Sequence, residues 1–232
     1  MYTINDMPKP IDRELIEMLE KVETATVGHV LYDAFVGPGI TPLIPDRRVA
    51  GTAVTLRLVH ADSTLLHYLT KLVRPGDIIL IDRCGDQRYA CWGGGVTHAM
   101  KLAGVKAGIV DGPATDIADI RQLNLPVWSR GLSPVTTRLL DKFGALNVPV
   151  SIGGKIVHPG DAVLADECGI LVLPPGEVRS IAQEALARQE REVGLIERLR
   201  SGEKLPDISG ATKQVEAKIF AAGVENANLQ SR

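Results

Sequence analysis

Two short apolar runs constrain this chain most. Ile78–Asp82 (IILID) and Ala107–Asp111 (AGIVD) are almost continuously apolar, and each ends in an aspartate. A strand that is apolar on both faces has to be covered on both faces. Gly93–Gly104 and Asp116–Leu123 follow them and read as helices, and Pro126–Ser129 reads as a third strand of the same kind. Buried strands alternating with helices predict an α/β fold built on a parallel sheet.

The flanks are consistent with that centre. Residues 11–23 place Ile11, Leu15, Leu19 and Val22 at helical spacing. A second short helix is expected over His29–Val36, closed by Gly37-Pro38-Gly39. Arg48–His60 is rich in β-branched residues and reads as a strand. Ser63 is a candidate N-cap for a helix reaching Val73, with Leu65, Leu66, Leu69 and Leu72 on its apolar side. Beyond Val148, four short strands are expected at Val148–Ile152, Lys155–His158, Ala162–Ala165 and Gly169–Leu173. Gly176–Arg200 reads as a long charged amphipathic helix, Ser201–Gly210 as a polar linker, and 211–222 as a last helix. One echo is visible: Arg74–Asp82 and His158–Asp166 are both a Pro-Gly-Asp turn feeding an apolar strand that ends in Asp. Two independent turns of a common type are the simpler explanation.

Composition excludes several classes. The net charge is −2 over 232 residues, which argues against a non-specific nucleic-acid binder. No apolar run approaches the roughly 20 residues of a membrane helix. The N-terminus lacks a basic start followed by an apolar block, so no secretory signal is expected. Three cysteines without CxxC spacing fit neither a disulfide framework nor a zinc ribbon. The expected setting is cytoplasmic, with reduced thiols.

The stretch from Asp82 to Asp116 is richest in chemistry. In open α/β sheets ligands sit beyond the carboxyl ends of the strands. Gly93, Gly94 and Gly95 open a helix there. Bare amides at a helix start carry partial positive charge and hold anions, here a carboxylate or a single phosphate. The alternative is that the glycines only permit close helix–sheet packing. Asp116 begins the next helix, either as its N-cap or as a carboxylate ligand for a hard divalent ion such as Mg²⁺. A metal on one carboxylate beside an anion site suits a 2-oxo acid chelated through its carboxylate and keto oxygens. His29, His60, His67, His98 and His158 show neither HExxH nor HxH spacing; His60 and His67 read better as core or surface residues, and His98, one turn into the glycine-started helix, is a candidate to approach the site. Cys84 and Cys91 share the preceding loop. Lys101 and Lys106 do not read as buried, which disfavours a Schiff-base lysine.

At these residues the chain resembles the RraA-like family. The resemblance spans roughly residues 20–175. It rests on Arg48–Thr55 (RVAGTAVT), Pro75-Gly76-Asp77, Trp92-Gly93, Gly104–Gly112 (GVKAGIVDG), Asp116, Pro126-Val127-Trp128 and His158–Asp161 followed by Ala165-Asp166. The family includes metal-dependent 4-hydroxy-4-methyl-2-oxoglutarate aldolases, oxaloacetate decarboxylases and RraA, a regulator of ribonuclease E. The resemblance implies a layered swivelling β/β/α domain over 25–175, with helical extensions at 1–24 and 176–232. It also implies a homotrimer or homohexamer whose active site lies between subunits. By position, Gly93, Gly94, Gly95 and Val96 match the segment holding the substrate carboxylate. Asp116 matches the metal-ligating aspartate of a Gly-x-x-Arg-Asp motif, with Mg²⁺ or Mn²⁺ as the expected cofactor.

Two positions depart from that pattern. The motif arginine is Thr115, which keeps a hydroxyl donor but not the charge or the two-pronged geometry. An aspartate of the active aldolases falls at Gly94. Arg83 and Arg88, in the preceding loop, are the candidates for restoring the charge. The expected activity is a metal-dependent carbon–carbon lyase, an aldolase or decarboxylase, on a small 2-oxo or hydroxy acid, with Asp116 and Thr115 as its catalytic residues. The alternatives are a non-catalytic regulator that binds a partner protein, and an enzyme retuned to another sugar acid. Neither membrane nor nucleic acid is an expected partner.

Overall fold

The computed structural model describes the backbone of residues 1–230 and the side chains of residues 1–220. The chain forms two compact units, Met1–Ala185 and Leu186–Arg232.

The first unit runs β1 (Tyr2–Ile4), α1 (Arg13–Leu19), α2 (Thr24–Val27), β2 (Thr41–Pro42), β3 (Val49–Arg57), α3 (Thr64–Leu69), β4 (Asp77–Asp82), α4 (Gly94–Leu102), β5 (Ala107–Asp111), α5 (Ile117–Leu123), β6 (Val127–Ser129), β7 (Gly144–Leu146), β8 (Val150–Ile152), β9 (Lys155–Val157), β10 (Ala162–Ala165) and β11 (Ile170–Leu173). α6 (Val178–Arg200) begins in it. α7 (Leu205–Ser209) and α8 (Ala211–Gln230) lie in the second unit.

The apolar runs are where the sheet is parallel. β3, β4, β5 and β6 pair in that order, with Arg57 opposite Asp82 and Asp82 opposite Asp111. This centre is parallel throughout. The other edge of β3 takes β10 along Val49–Thr52 and β7 at Leu56 and Arg57, both antiparallel, and β2 closes the far edge against β6. β1 adds to β7 in parallel.

Strand alternation separates two cores. On one face Ile79, Ile81 and Val110 meet Leu65, Leu66 and Leu69 of α3, Val96 and Met100 of α4 and Ile120 of α5. On the other, Ile78, Leu80, Ala107 and Ile109 meet Val150, Ile152 and Val157 of the β8–β9 hairpin. Helices, main sheet and hairpin give the expected β/β/α layering, so a two-stranded sheet rather than more helices covers the second face.

The Pro-Gly-Asp echo is structural. Asp77 accepts the Arg74 N–H and Asp161 accepts the His158 N–H, each at 2.8 Å. The two turns flank the same stretch of β3: Thr52 N–H donates to Gly76 O, and Gly160 N–H donates to Ala53 O. Gly76 and Gly160 have φ near +93° and +91°, a conformation that favours glycine.

Three expectations are corrected. The helix placed at His29–Val36 lies at Thr24–Val27 instead. Its start is fixed by Asp166, which accepts both the backbone N–H and the hydroxyl of Thr24, so a distant partner overrides the local pattern. The linker at Ser201–Gly210 contains α7, started by Pro206 in the first turn and ended by a left-handed Gly210. β1, β2 and β7 are two- or three-residue strands that were not expected at all.

Candidate active site at the start of α4

Trp92 organises the site from below. It is fully buried, and its Nε1–H donates to Thr97 Oγ1 at 3.0 Å. The Thr97 hydroxyl in turn donates to Gly93 O at 2.8 Å, which locks the first turn of α4. Trp92 O accepts the Thr115 N–H at 2.8 Å, tying the loop after β5 to the start of α4. The ends of two neighbouring strands are thereby joined into one small structure.

Asp116 has φ +51° and ψ +45°, a left-handed conformation that aspartate tolerates better than most residues. It precedes α5, yet its side chain does not cap α5. It reaches across to α4, where Oδ2 accepts the Gly94 N–H at 2.9 Å. The Thr115 hydroxyl lies 3.5 Å from Asp116 Oδ1. A Cβ on Gly93 would come within 2.6 Å of Asp116 Oδ2, so this approach requires glycine at 93.

The anion cradle is therefore partly filled by the protein's own carboxylate. Gly94 N–H is engaged by Asp116. Among the described residues the Gly95 and Val96 N–H groups find no acceptor. Gly95 is exposed, and the Val96 side chain anchors the turn in the helical core. Beside them Thr115, Asp116, Ile117, Ala118, Leu132, Ser133 and Pro134 line an open hollow of about 440 Å³.

The other candidates separate clearly. Arg83 is fully buried and turned away: its Nη2–H donates to His60 O at 2.5 Å and Tyr89 O at 3.3 Å. Arg88 is exposed, with its guanidinium 5.5 Å from the Tyr89 ring. Neither replaces the charge missing at Thr115. His98 is exposed and makes no hydrogen bond to Asp116. Lys101 donates to Leu123 O and Lys106 pairs with Glu20, so both amines are engaged on the surface. Burial pushes the Cys91 thiol up to about 11, and burial with Asp82 raises that of Cys84; neither is an activated nucleophile.

One acidic residue went unnoticed in the sequence. Asp119 lies in the first turn of α5, and its carboxylate rests over Gly94. Its only signal was its place three residues after Asp116.

The oxygen donors at this point are carboxylates and a hydroxyl. Among the described residues no group of three or more His, Cys, Asp or Glu side chains is arranged to hold a metal. Such a set does not encage a cation. It fits a hard ion that keeps most of its waters and binds through one or two carboxylates, as Mg²⁺ does. Gly93 and Gly94 leave free the space a Cβ would fill, and the carboxylates occupy it.

A family model described as RraA-like, Aldolase/RraA, matches residues 24–172. The 4-hydroxy-4-methyl-2-oxoglutarate aldolase of Thermus thermophilus is 31% identical over 135 residues, covering 57% of this chain and 81% of that protein. An uncharacterized protein of Methanocaldococcus jannaschii is 30% identical over 184 residues, covering 77% and 87%. Among solved structures, an uncharacterized protein from Pseudomonas syringae pv. tomato superposes with a TM-score of 0.75 at 27% identity, over 86% of this chain and 98% of that one. Streptomyces coelicolor RraAS2, described as an unusual member of the RNase ES inhibitor RraA protein family, gives 0.72 at 29% identity, over 82% and 98%. Among the described residues no helix is long and apolar enough to cross a membrane. With the family model covering well over half the chain, the protein belongs to the RraA-like family.

Proposed function

We propose that the protein is a divalent-metal-dependent carbon–carbon lyase acting on a small 2-oxo or hydroxy carboxylic acid. One observation carries the reading: Asp116 Oδ2 lies 2.9 Å from the Gly94 amide, so the acid and the bare helix start meet at one point. Aldolases among the relatives support the reaction class.

Asp116, with the Thr115 hydroxyl beside it, would hold the cation. The open Gly95 and Val96 amides take the substrate carboxylate, with Gly93 and Gly94 keeping the approach clear. Mg²⁺ or Mn²⁺, when bound, supplies Lewis-acid polarisation of a keto oxygen and lowers the cost of enolate charge. The Thr115 hydroxyl donates one hydrogen bond toward that oxygen, a weaker aid than a guanidinium. Buried Trp92 and the Thr97 lock hold the amides rigid, so little reorganisation is needed as charge develops.

A homo-oligomer, trimer or hexamer, completes the reading. The hollow beside Asp116 is wide open, with exposed Leu132 on its rim, and Val135, Leu139, Leu140 and Phe143 are exposed further along the same segment. Several large apolar side chains left exposed along one segment favour a covering subunit.

The test is turnover. Oxaloacetate and a panel of 4-hydroxy-2-oxo acids are offered to the full chain with Mg²⁺, with Mn²⁺ and with EDTA. Release of pyruvate or another 2-oxo acid that stops with EDTA is expected. Failure to convert any of the panel with either metal contradicts the reading.

A further inference from the structure

We infer that the hollow beside Asp116 receives the tail of the substrate and that this tail is apolar, so the acid taken is a 2-oxo monocarboxylate carrying a short alkyl group and not a dicarboxylate. The inference rests on the metal-dependent reading given above and names the acid that the same site accepts. Asp116 is at once the proposed cation ligand and a wall of the hollow, so a ligand held at Asp116 has that space directly beside it.

Two segments build the hollow. Ile117 and Ala118 open α5, and Leu132, Ser133 and Pro134 come from the turn after β6. Ala114 ties the two together: its N–H donates to Gly131 O and its own oxygen accepts the Ser133 N–H, both at 2.9 Å. The wall is formed before a ligand arrives, which spares the cost of ordering it on binding. Its chemistry is one-sided. Ile117, Ala118, Leu132 and Pro134 are apolar, and Thr115 is uncharged. The Ser133 hydroxyl is already engaged, donating to Arg88 O at 2.6 Å and accepting the Val135 N–H at 3.1 Å. None of the lining residues is Lys, Arg or His, and the one charged side chain among them, Asp116, is an anion. Arg88 touches Ser133 only through its backbone oxygen, and its guanidinium lies 5.5 Å from the Tyr89 ring centroid. A second carboxylate in this hollow loses water and meets no cation. An alkyl chain there gains about fourfold in affinity for each methylene it buries.

Calorimetric titration of the full-length protein with inert chelating mimics, in Mg²⁺ and in EDTA, tests this without turnover. The probes are oxamate, N-isopentyloxamate and N-(2-carboxyethyl)oxamate; the last two have tails of the same shape and differ in charge. In Mg²⁺ the isopentyl compound should bind about tenfold more tightly than oxamate, since an open hollow buries only part of the chain, and the carboxyethyl compound no more tightly than oxamate. Ala118→Lys puts a cation on an exposed position of the wall and should move the preference toward the carboxyethyl compound by about tenfold. If the two tailed compounds bind wild type within about twofold of each other, or the carboxyethyl compound binds more tightly, the inference is overturned and the metal-dependent reading stands. A preference that Ala118→Lys leaves unchanged, or isopentyl binding that survives EDTA, puts the tail elsewhere and overturns it too. Wild type that binds none of the three in Mg²⁺ overturns both.

Discussion

The carboxyl ends of β4 and β5 carry two kinds of aspartate. On the hairpin side, Asp82 accepts from Cys84 N–H at 2.7 Å and from Arg57 Nε–H at 3.3 Å, and Ser151 N–H lies 3.5 Å away. Its neighbour Asp111 pairs with Arg130 and accepts the Gly153 N–H at 2.7 Å. Between them they clamp the β8–β9 hairpin to the main sheet. On the helical side, among the described residues, Asp116 accepts one backbone N–H and Asp119 none. Residue type is the same in the two regions, but burial and partners differ: Asp82 is buried and Asp111 half-buried, whereas Asp116 and Asp119 are exposed. A buried carboxylate has its oxygens satisfied by the protein and holds the fold together; an exposed one at the mouth of the sheet is open to a ligand.

The largest effect should come from the helical side. Asp116→Ala is expected to cut metal-dependent turnover about a hundredfold or more. It should cost only about 1 kcal/mol of stability, because it removes one cap from α4. Steady-state kinetics and urea unfolding on the same preparation separate the two numbers. The hairpin side should show the reverse. Asp111→Ala strands Arg130 and the Gly153 amide and is expected to cost about 2 kcal/mol, while Mn²⁺ affinity stays at the wild-type value. Equal effects of the two substitutions on metal binding would break the comparison.

A smaller effect belongs to Asp62, a buried carboxylate that accepts four hydrogen bonds. Burial pushes its carboxyl up. Hydrogen bonds from the side chain and backbone of Thr64, and from the Lys142 and Leu140 amides, outweigh burial and bring it down to about 2. A folded value below the ordinary 3.8 means the stabilisation is present above pH 4 and is lost as pH falls from 4 through 2. Asp62 holds the 138–142 segment, so amide exchange there should rise first in that window. Asp62→Asn should abolish that pH dependence. The smallest change is expected from Thr115→Arg: about a tenfold gain in pyruvate release, dependent on an intact Asp116.

Much of the frame was legible in the sequence, because β4 and β5 are apolar on both faces and that pattern has few alternatives. The site was partly legible. Glycine at a helix start and an acid after the next strand can be read locally, and the expectation that they meet came from the carboxyl-end rule. Which way Asp116 turns was not readable. As the residue before a helix it has the position of an N-cap, and only the Trp92–Thr115 tie presents it to α4 instead. Asp119 was hidden for a similar reason, since an acid in a first helical turn is normally explained by the helix dipole. α2 was misplaced because its start depends on Asp166, more than a hundred residues away. β1 and β7 were missed because three residues carry no period.

Binding of oxalate, an inert mimic of a chelating 2-oxo acid, tests most directly whether the Gly95–Val96 amides and Asp116 act together through a cation. Calorimetry on wild type and Asp116→Ala, each with Mg²⁺ and with EDTA, gives four values. Oxalate is expected to bind only to wild type with Mg²⁺ present. Equal affinity in EDTA, or in Asp116→Ala with Mg²⁺, contradicts a site in which acid, cation and amides hold one ligand.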